Sequence, residues 1–147
     1  MSLHRTPLVL TCGEPAGIAP DITAQAWMAL AGSGPVFALI GDAAYIQSRS
    51  RAAGISVRVA KIENLDQAAA VFASALPVLH RPLAVSPEPG QIAPQTSHNV
   101  IAAIDEAVAL AQTGAARAMV TNPIQKEALY AAGFKHQGHT DYIASLM

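Results

Sequence analysis

Short apolar runs alternate with helix-length segments along the whole chain, and this alternation limits the fold more than any other feature. The runs are "PLVLTC" (7–12), "PVFALIG" (35–41), "ISVRVA" (55–60), "LPVLH" (76–80) and "ARAMVT" (116–121). Each is bounded by turn residues and rich in branched side chains, as buried strands are. Between them, helices are expected over 21–30, 42–54, 63–75, 97–114 and 122–133, with another after residue 138. Ile22, Ala26 and Leu30 recur at helical spacing in the first, and Ile101, Ile104, Val108 and Ala111 in the fourth. Strand–helix alternation of this kind predicts an α/β fold, with a mostly parallel sheet flanked by helices on both faces.

Punctuation supports these boundaries. Asp21 falls in a first helical turn, where a negative charge suits the helix dipole. Ser97 and Thr140 are candidate N-caps, Pro123 a candidate first-turn residue, and Gly54, Gly114 and Gly133 candidate helix stops. Residues 81–97 hold four prolines and a glycine, and read as a loop long enough to expect a function of it. Hydrophobic residues make up 52% of the 147 and charged residues 13%, which excludes a disordered tail. A net charge of −1 gives no sign of a nucleic-acid partner. No run approaches the roughly 18 to 20 apolar residues that cross a bilayer, and a cytoplasmic protein is the expectation. "GHTDYIASLM" stops at Met147 inside a helical pattern, so the chain is expected to be a piece of a longer protein.

One segment is unusually dense in backbone-shaping residues: "TCGEPAGIAPDI", residues 11–22, between the first strand and its helix. In open α/β sheets ligands bind where strands end and helices begin. Gly13 and Gly17 permit a sharp turn or a close backbone approach, and Pro15 and Pro20 restrict the loop beforehand. With Glu14 they are candidate cofactor-loop residues. The spacing is not a dinucleotide fingerprint, which requires G-x-G-x-x-G, and an ordinary strand-to-helix turn is an equal reading. Cys12, the lone cysteine, rules out a disulfide within the chain, and no base is evident that would make it a nucleophile.

A second constellation lies in "MVTNPIQKEAL" and "GFKHQGHTDYIA". Asn122 sits at a strand end, Lys126 near a helix start, and His139 and Thr140 before another helix. A lysine, a histidine and a hydroxyl at helix starts can hold a phosphorylated or hydroxylated substrate, although a solvated lysine and a helix cap explain the same residues. His136 and His139 are three apart but lack a third ligand, and His4, His80 and His98 have no evident partners. No metal site is assigned in this segment.

The order of "GEPAGIAPDI", "PGQIAPQTSHNVIAAIDEAVALAQTG", "AMVTNPIQKEALYAAGF" and "GHTDYIA" resembles the 4-hydroxythreonine-4-phosphate dehydrogenases, which make a precursor of pyridoxal phosphate. The resemblance covers nearly all of this chain and about the first half of a family member. Residues 1–147 would then be the N-terminal portion of a two-domain α/β dehydrogenase, similar in fold to isocitrate and isopropylmalate dehydrogenases, with the active site in the interdomain cleft. It implies a homodimer and NAD(P)-dependent oxidation of a small phosphorylated hydroxy-amino acid, followed by decarboxylation. It also implies a divalent metal (zinc, magnesium or cobalt) held by residues beyond Met147. His139 and Thr140 match the family's substrate-contacting positions, and Asn122 and Lys126 its cleft region. The segment alone is expected to be inactive.

Ala19, Asp21 and Ser97 depart from the family's usual glycine, glutamate and glycine. Relatives acting on threonate or erythronate 4-phosphate, or on an aromatic cis-diol, are alternatives within the same scaffold. A non-catalytic phosphate- or nucleotide-binding module is an alternative of another class.

Overall fold

The computed structural model describes residues 6–147; His4 lies outside the described residues. The strands are β1 (Leu8–Leu10), β2 (Phe37–Gly41), β3 (Val59–Ile62), β4 (Leu76–His80) and β5 (Met119–Val120). The helices are α1 (Ala19–Leu30), α2 (Ala43–Ala52), α3 (Ala68–Val71), α4 (Ser97–Gln112), α5 (Lys126–Ala131) and α6 (His139–Leu146). The strands pair in the order β3-β4-β2-β1-β5, and every pairing is parallel.

Strand side chains point alternately to the two faces, and this divides the core. On one face Leu10, Phe37, Leu39, Leu76 and Val78 pack against Ala24 and Trp27 of α1 and Ala43 and Ile46 of α2. On the other, Val9, Ala38, Ile40, Ile62 and Leu79 meet Ala68 of α3 and Ala103 and Ala107 of α4. A smaller third cluster of Val100, Leu129 and Phe134, with Tyr142 against it, sets α5 and α6 on α4. Helices on both faces follow from the connection rule: β1 and β2 feed helices on one side, β3 and β4 on the other.

Several boundaries differ from the sequence reading. The third strand starts at Val59 rather than 55, because Gly54 turns at φ +71° and Ile55 N–H bonds back to the Ser50 carbonyl. The helix expected over 63–75 is a 3₁₀ turn, Leu65–Gln67, followed by the four residues of α3. The Val71 carbonyl, accepting from Ser74 and Ala75, ends it. Ser97 does not cap α4; it is the helix's first residue, and its hydroxyl lies 3.4 Å from the Ala128 carbonyl. Nor does Thr140 cap α6, whose N-cap is Gly138. Pro123 precedes α5 by three residues, since the Pro123 carbonyl is held by Glu14 N–H at 2.8 Å and the helix begins only at Lys126. The buried stripe of α4 is Val100, Ala103, Ile104, Ala107 and Val108. Gly114 and Gly133, at φ +80° and +98°, follow α4 and α5 as helix stops should.

Leu39 is fully buried in the central strand. Leu39→Ala should lower unfolding stability by about 2–5 kcal/mol in urea titration, whereas Val120→Ala on the exposed edge should change it by under about 1 kcal/mol.

Candidate functional site

The carboxyl tips of β1 and β5 are sewn together by one side chain. Asn122 is buried, and its carboxamide donates to the Thr11 carbonyl at 2.8 Å and to Thr23 Oγ1 at 2.9 Å. Its own N–H donates to Thr11 Oγ1 at 3.1 Å, and Thr23 Oγ1 donates to the Ala19 carbonyl at 2.7 Å. Both amide protons of the carboxamide are therefore engaged within the protein. Asn122 braces the strand tips and the start of α1.

That closeness dictates Gly13. It turns at φ +64°, and a Cβ there would sit 2.6 Å from both Asn122 Cβ and the Pro123 carbonyl oxygen. Gly17 differs: its φ is not positive, and an added Cβ would make ordinary contacts with Glu14 from 3.5 Å outward. The backbone requires glycine at 13 and leaves 17 free for other reasons.

Two residues of α2 hold the rest of the turn. The Arg49 guanidinium is buried and donates to the carbonyls of Pro15 (2.6 Å) and Gly17 (3.0 Å), to Tyr45 Oη (3.0 Å) and to Asp21 (3.2 Å). The Tyr45 hydroxyl lies 2.8 Å from the Pro15 carbonyl and 3.0 Å from that of Pro87, its one proton serving one of them at a time. Burial raises the Tyr45 phenol above its ordinary value, so it remains a donor. The proline-rich loop is tied down as well: Gly90 N–H donates to the Ala16 carbonyl at 2.8 Å, and Leu83 N–H to Asp42 at 3.0 Å. The segment read as a loop is thus a strap laid over the glycine turn.

Between turn and strap lies a cavity of about 250 Å³, walled by Glu14, Gly17, Gly90, Ile92, Pro123 and Gln125 among others. Glu14 is buried, and its carboxylate accepts from Ala16 N–H at 3.1 Å. Burial raises its pKa above the ordinary 4.5, against the opposing effect of that hydrogen bond. His139 and Thr140 do not line this cavity. They start α6 beside Lys126, whose Nζ would lie 3.6 Å from a Cβ added at Gly138. His139 Nε2 is buried without a partner, and burial, then the Lys126 charge, lowers its pKa and keeps the ring neutral at neutral pH. Thr140 is exposed. Gln125, which lines the cavity, is followed directly by Lys126, the first residue of α5.

The remaining histidines with named partners are occupied elsewhere. His80 Nδ1 accepts from Ala43 N–H at 3.1 Å, and Asp42 caps the same helix through Tyr45 N–H. The start of α2 is thereby satisfied from within. His136 pairs with Asp141 at 3.1 Å and packs against Phe134 and Tyr142. Tyr142 in turn donates to Asp105, docking α6 on α4. The Cys12 thiol, pushed up to about 12 by burial, is not a nucleophile at neutral pH. Among the described residues, no three His, Cys, Asp or Glu side chains gather as a metal would need. The donor set of the described residues does not fit a divalent metal.

A glycine turn braced at the carboxyl tips of a parallel, doubly wound sheet defines an α/β protein whose ligand side lies at those tips. The family model described as "Pyridoxal phosphate biosynthetic protein PdxA" matches residues 35–147, and the chain belongs to that family. It is 43% identical over 149 residues to a 4-hydroxythreonine-4-phosphate dehydrogenase of Bradyrhizobium diazoefficiens, a match covering 95% of this chain and 43% of that protein. A crystal structure of a 4-hydroxythreonine-4-phosphate dehydrogenase from Burkholderia phymatum superposes with a TM-score of 0.83 at 27% identity, covering 95% of this chain and 43% of that one. A terephthalate 1,2-cis-dihydrodiol dehydrogenase from Burkholderia xenovorans, at 21% identity and TM-score 0.62, shares the fold alone. The chain spans less than half the length of the relatives it matches.

Sequence reasoning singled out the glycine turn, His139 and the 81–97 loop, but missed Arg49, Tyr45 and how the loop straps the turn. By local pattern Arg49 is indistinguishable from a solvated helix cation; only the long-range fold turns it inward. The prolines were the available signal for the strap.

The braced turn can be probed at three of its residues. Gly13→Ala should cost about 1–3 kcal/mol in denaturant titration and clearly more than Gly54→Ala, which shares the positive φ but has open space around it. Arg49→Leu should leave the Gly17 carbonyl without its side-chain donor and the Pro15 carbonyl with Tyr45 alone, seen as faster hydrogen exchange across residues 14–18. A raised Glu14 pKa means the folded state holds the proton more tightly than the unfolded one. That contribution to stability is complete below 4.5 and is lost as pH rises through the folded pKa. Glu14→Gln should therefore be the more stable protein at neutral pH, and its advantage should vanish below pH 4.5.

Proposed function

We propose that this chain supplies the N-terminal portion of a 4-hydroxythreonine-4-phosphate dehydrogenase, with His139 and Thr140 contacting a small phosphorylated hydroxy-amino acid. The observation that carries this reading is the His139 corner. A neutral imidazole with an unpartnered Nε2 sits beside the Lys126 ammonium, and the family resemblance implies a substrate contact at His139 and Thr140. Such a ring can hydrogen-bond a substrate hydroxyl or phosphate oxygen without carrying charge itself, while Lys126 attracts the anion. Family likeness at 43% identity supports the same assignment.

The cofactor belongs to the proposal too. A nicotinamide, when bound, accepts the hydride from the secondary alcohol. The 250 Å³ cavity at Glu14 and Gly17 is large enough for only part of a dinucleotide, and the turn lacks the dinucleotide fingerprint. The buried donors on Arg49 and Tyr45 keep the turn rigid there. The divalent metal that the resemblance implies would be held by residues beyond Met147, where it would polarise the alcohol oxygen. The homodimer and a cytoplasmic location complete the reading; no helix is long and apolar enough to cross a membrane among the described residues.

The isolated chain, given phosphohydroxythreonine, NAD and zinc or magnesium, should form no NADH. Joined to the remaining portion of the Bradyrhizobium relative it should turn over, and His139→Ala in that protein should lower kcat/KM by about 10²-fold or more. NADH formation by the chain alone, or full activity of the His139→Ala protein, would refute the assignment. Absence of turnover with retained ligand binding would favour a non-catalytic module.

A further inference from the structure

The two members of the His139 corner are fixed to the protein unequally. Lys126 belongs to α5, whose Leu129 is buried against Val100 of α4. His139 belongs to α6, none of whose residues is buried. The ties of α6 are therefore polar and aromatic. At its own start, Asp141 Oδ2 accepts from Gln137 N–H at 3.2 Å and pairs with His136 at 3.1 Å, which fixes the helix only to the segment before it. Towards α4, which buries Ala103 and Ala107 on the sheet, there is one side-chain hydrogen bond among the described residues, from the Tyr142 hydroxyl to Asp105 Oδ1. The Tyr142 ring also stands edge-on to Phe134, with centroids 5.1 Å apart. Burial and the Asp105 carboxylate push the phenol up to about 12, so it remains a donor. Tyr142 follows His139 by three residues, so the two share a face of α6 and a shift of one carries the other.

We propose that Tyr142, acting through Asp105, is a positioning residue that holds the His139 imidazole in place beside Lys126. A hydrogen bond from a phenol to a carboxylate is directional and roughly twice as strong as a neutral one. It fixes the rotation and height of α6 on α4, which ring packing alone leaves free to slide. Without it α6 loses its hold on α4, and the unpartnered Nε2 of His139 meets water. The consequence for catalysis rests on His139 contacting substrate, as proposed above. The placement of the ring does not, and it is read without turnover, so failure of the one is distinguishable from failure of the other.

The readout is the titration of the His139 ring, followed by NMR of the chain labelled at histidine. Burial and the Lys126 charge on α5 hold that ring below its ordinary 6.5. The other ionisable groups tied to α6 are Asp105 on α4 and His136 and Asp141 at the helix start. Tyr142→Phe keeps the ring on Phe134 and removes only the hydroxyl. That variant and Asp105→Ala should each raise the His139 pKa toward 6.5. Loss of the Asp105 charge by itself acts in the opposite direction, because a nearby anion favours the imidazolium, so a rise identifies release into water. Asp105→Asn loses the charge but keeps an acceptor, and should give no rise. Glu106→Gln, one residue further along α4 and paired with Arg81, should leave the titration unchanged. In the chain joined to the remaining portion of the Bradyrhizobium relative, Tyr142→Phe and Asp105→Ala should lower kcat/KM about tenfold, and Asp105→Asn should stay within about threefold of the parent. The proposal is overturned if His139 titrates in Tyr142→Phe as it does in the parent chain, or if Asp105→Asn raises its pKa as Asp105→Ala does. The titration decides this whether or not the joined protein turns over.

Discussion

The hydrogen bonds of Asn122 hold the carboxyl tips of the β1 and β5 strands together. β5 has only two residues in the sheet, too few to fix its own register firmly, and it lies at the edge. One buried carboxamide, reaching Thr11 and Thr23 together, joins β5, β1 and α1. With that joint in place, Gly13 must take a left-handed conformation, because no side chain fits between the turn and Asn122. Burying an amide is tolerable only when its donors are satisfied, and here both are.

Around that joint the polar groups of one helix do the remaining fixing. Arg49 and Tyr45 leave α2 and grip carbonyls of the turn that would otherwise be buried unpaired. The strap from β4 to α4 closes over the same turn through Gly90 and Pro87. Rigidity here comes from side chains satisfying irregular backbone, where a helix or sheet would satisfy its own. The His139 corner is arranged differently, with an unfilled acceptor or donor at Nε2 and a cation nearby. Hydrogen-bonded carbonyls frame the cavity, and the unpartnered Nε2 of His139 stands where a ligand is proposed.

The α1 helix shows how a sequence pattern can be right in period and silent on which of its residues the core buries. Ile22, Ala26 and Leu30 form a true helical stripe, yet the core buries Ala24 and Trp27, with Ala26 and Leu30 packed at its margin and Ile22 exposed. Hydropathy reports that a face is apolar and does not say what covers it. The same ambiguity affects Ser97 and Thr140, good capping residues by type that sit inside their helices, since the 3₁₀ turn Pro94–Thr96 runs into α4 and α6 starts at His139 after Gly138.

The sequence alone determined the α/β class, the parallel alternation, the two-faced core and the location of the glycine turn, since these follow from local periodicity and from φ and ψ preferences. It also singled out His139 and Lys126. Only the tertiary structure decided that Gly13 and not Gly17 is sterically required, that Asn122 braces the strand tips, and that Arg49 is buried. Each of those depends on groups far apart in the chain, Thr11 and Asn122 being separated by 111 residues. Local pattern carries no information about which distant carbonyl a side chain will meet, because strand order sets that meeting.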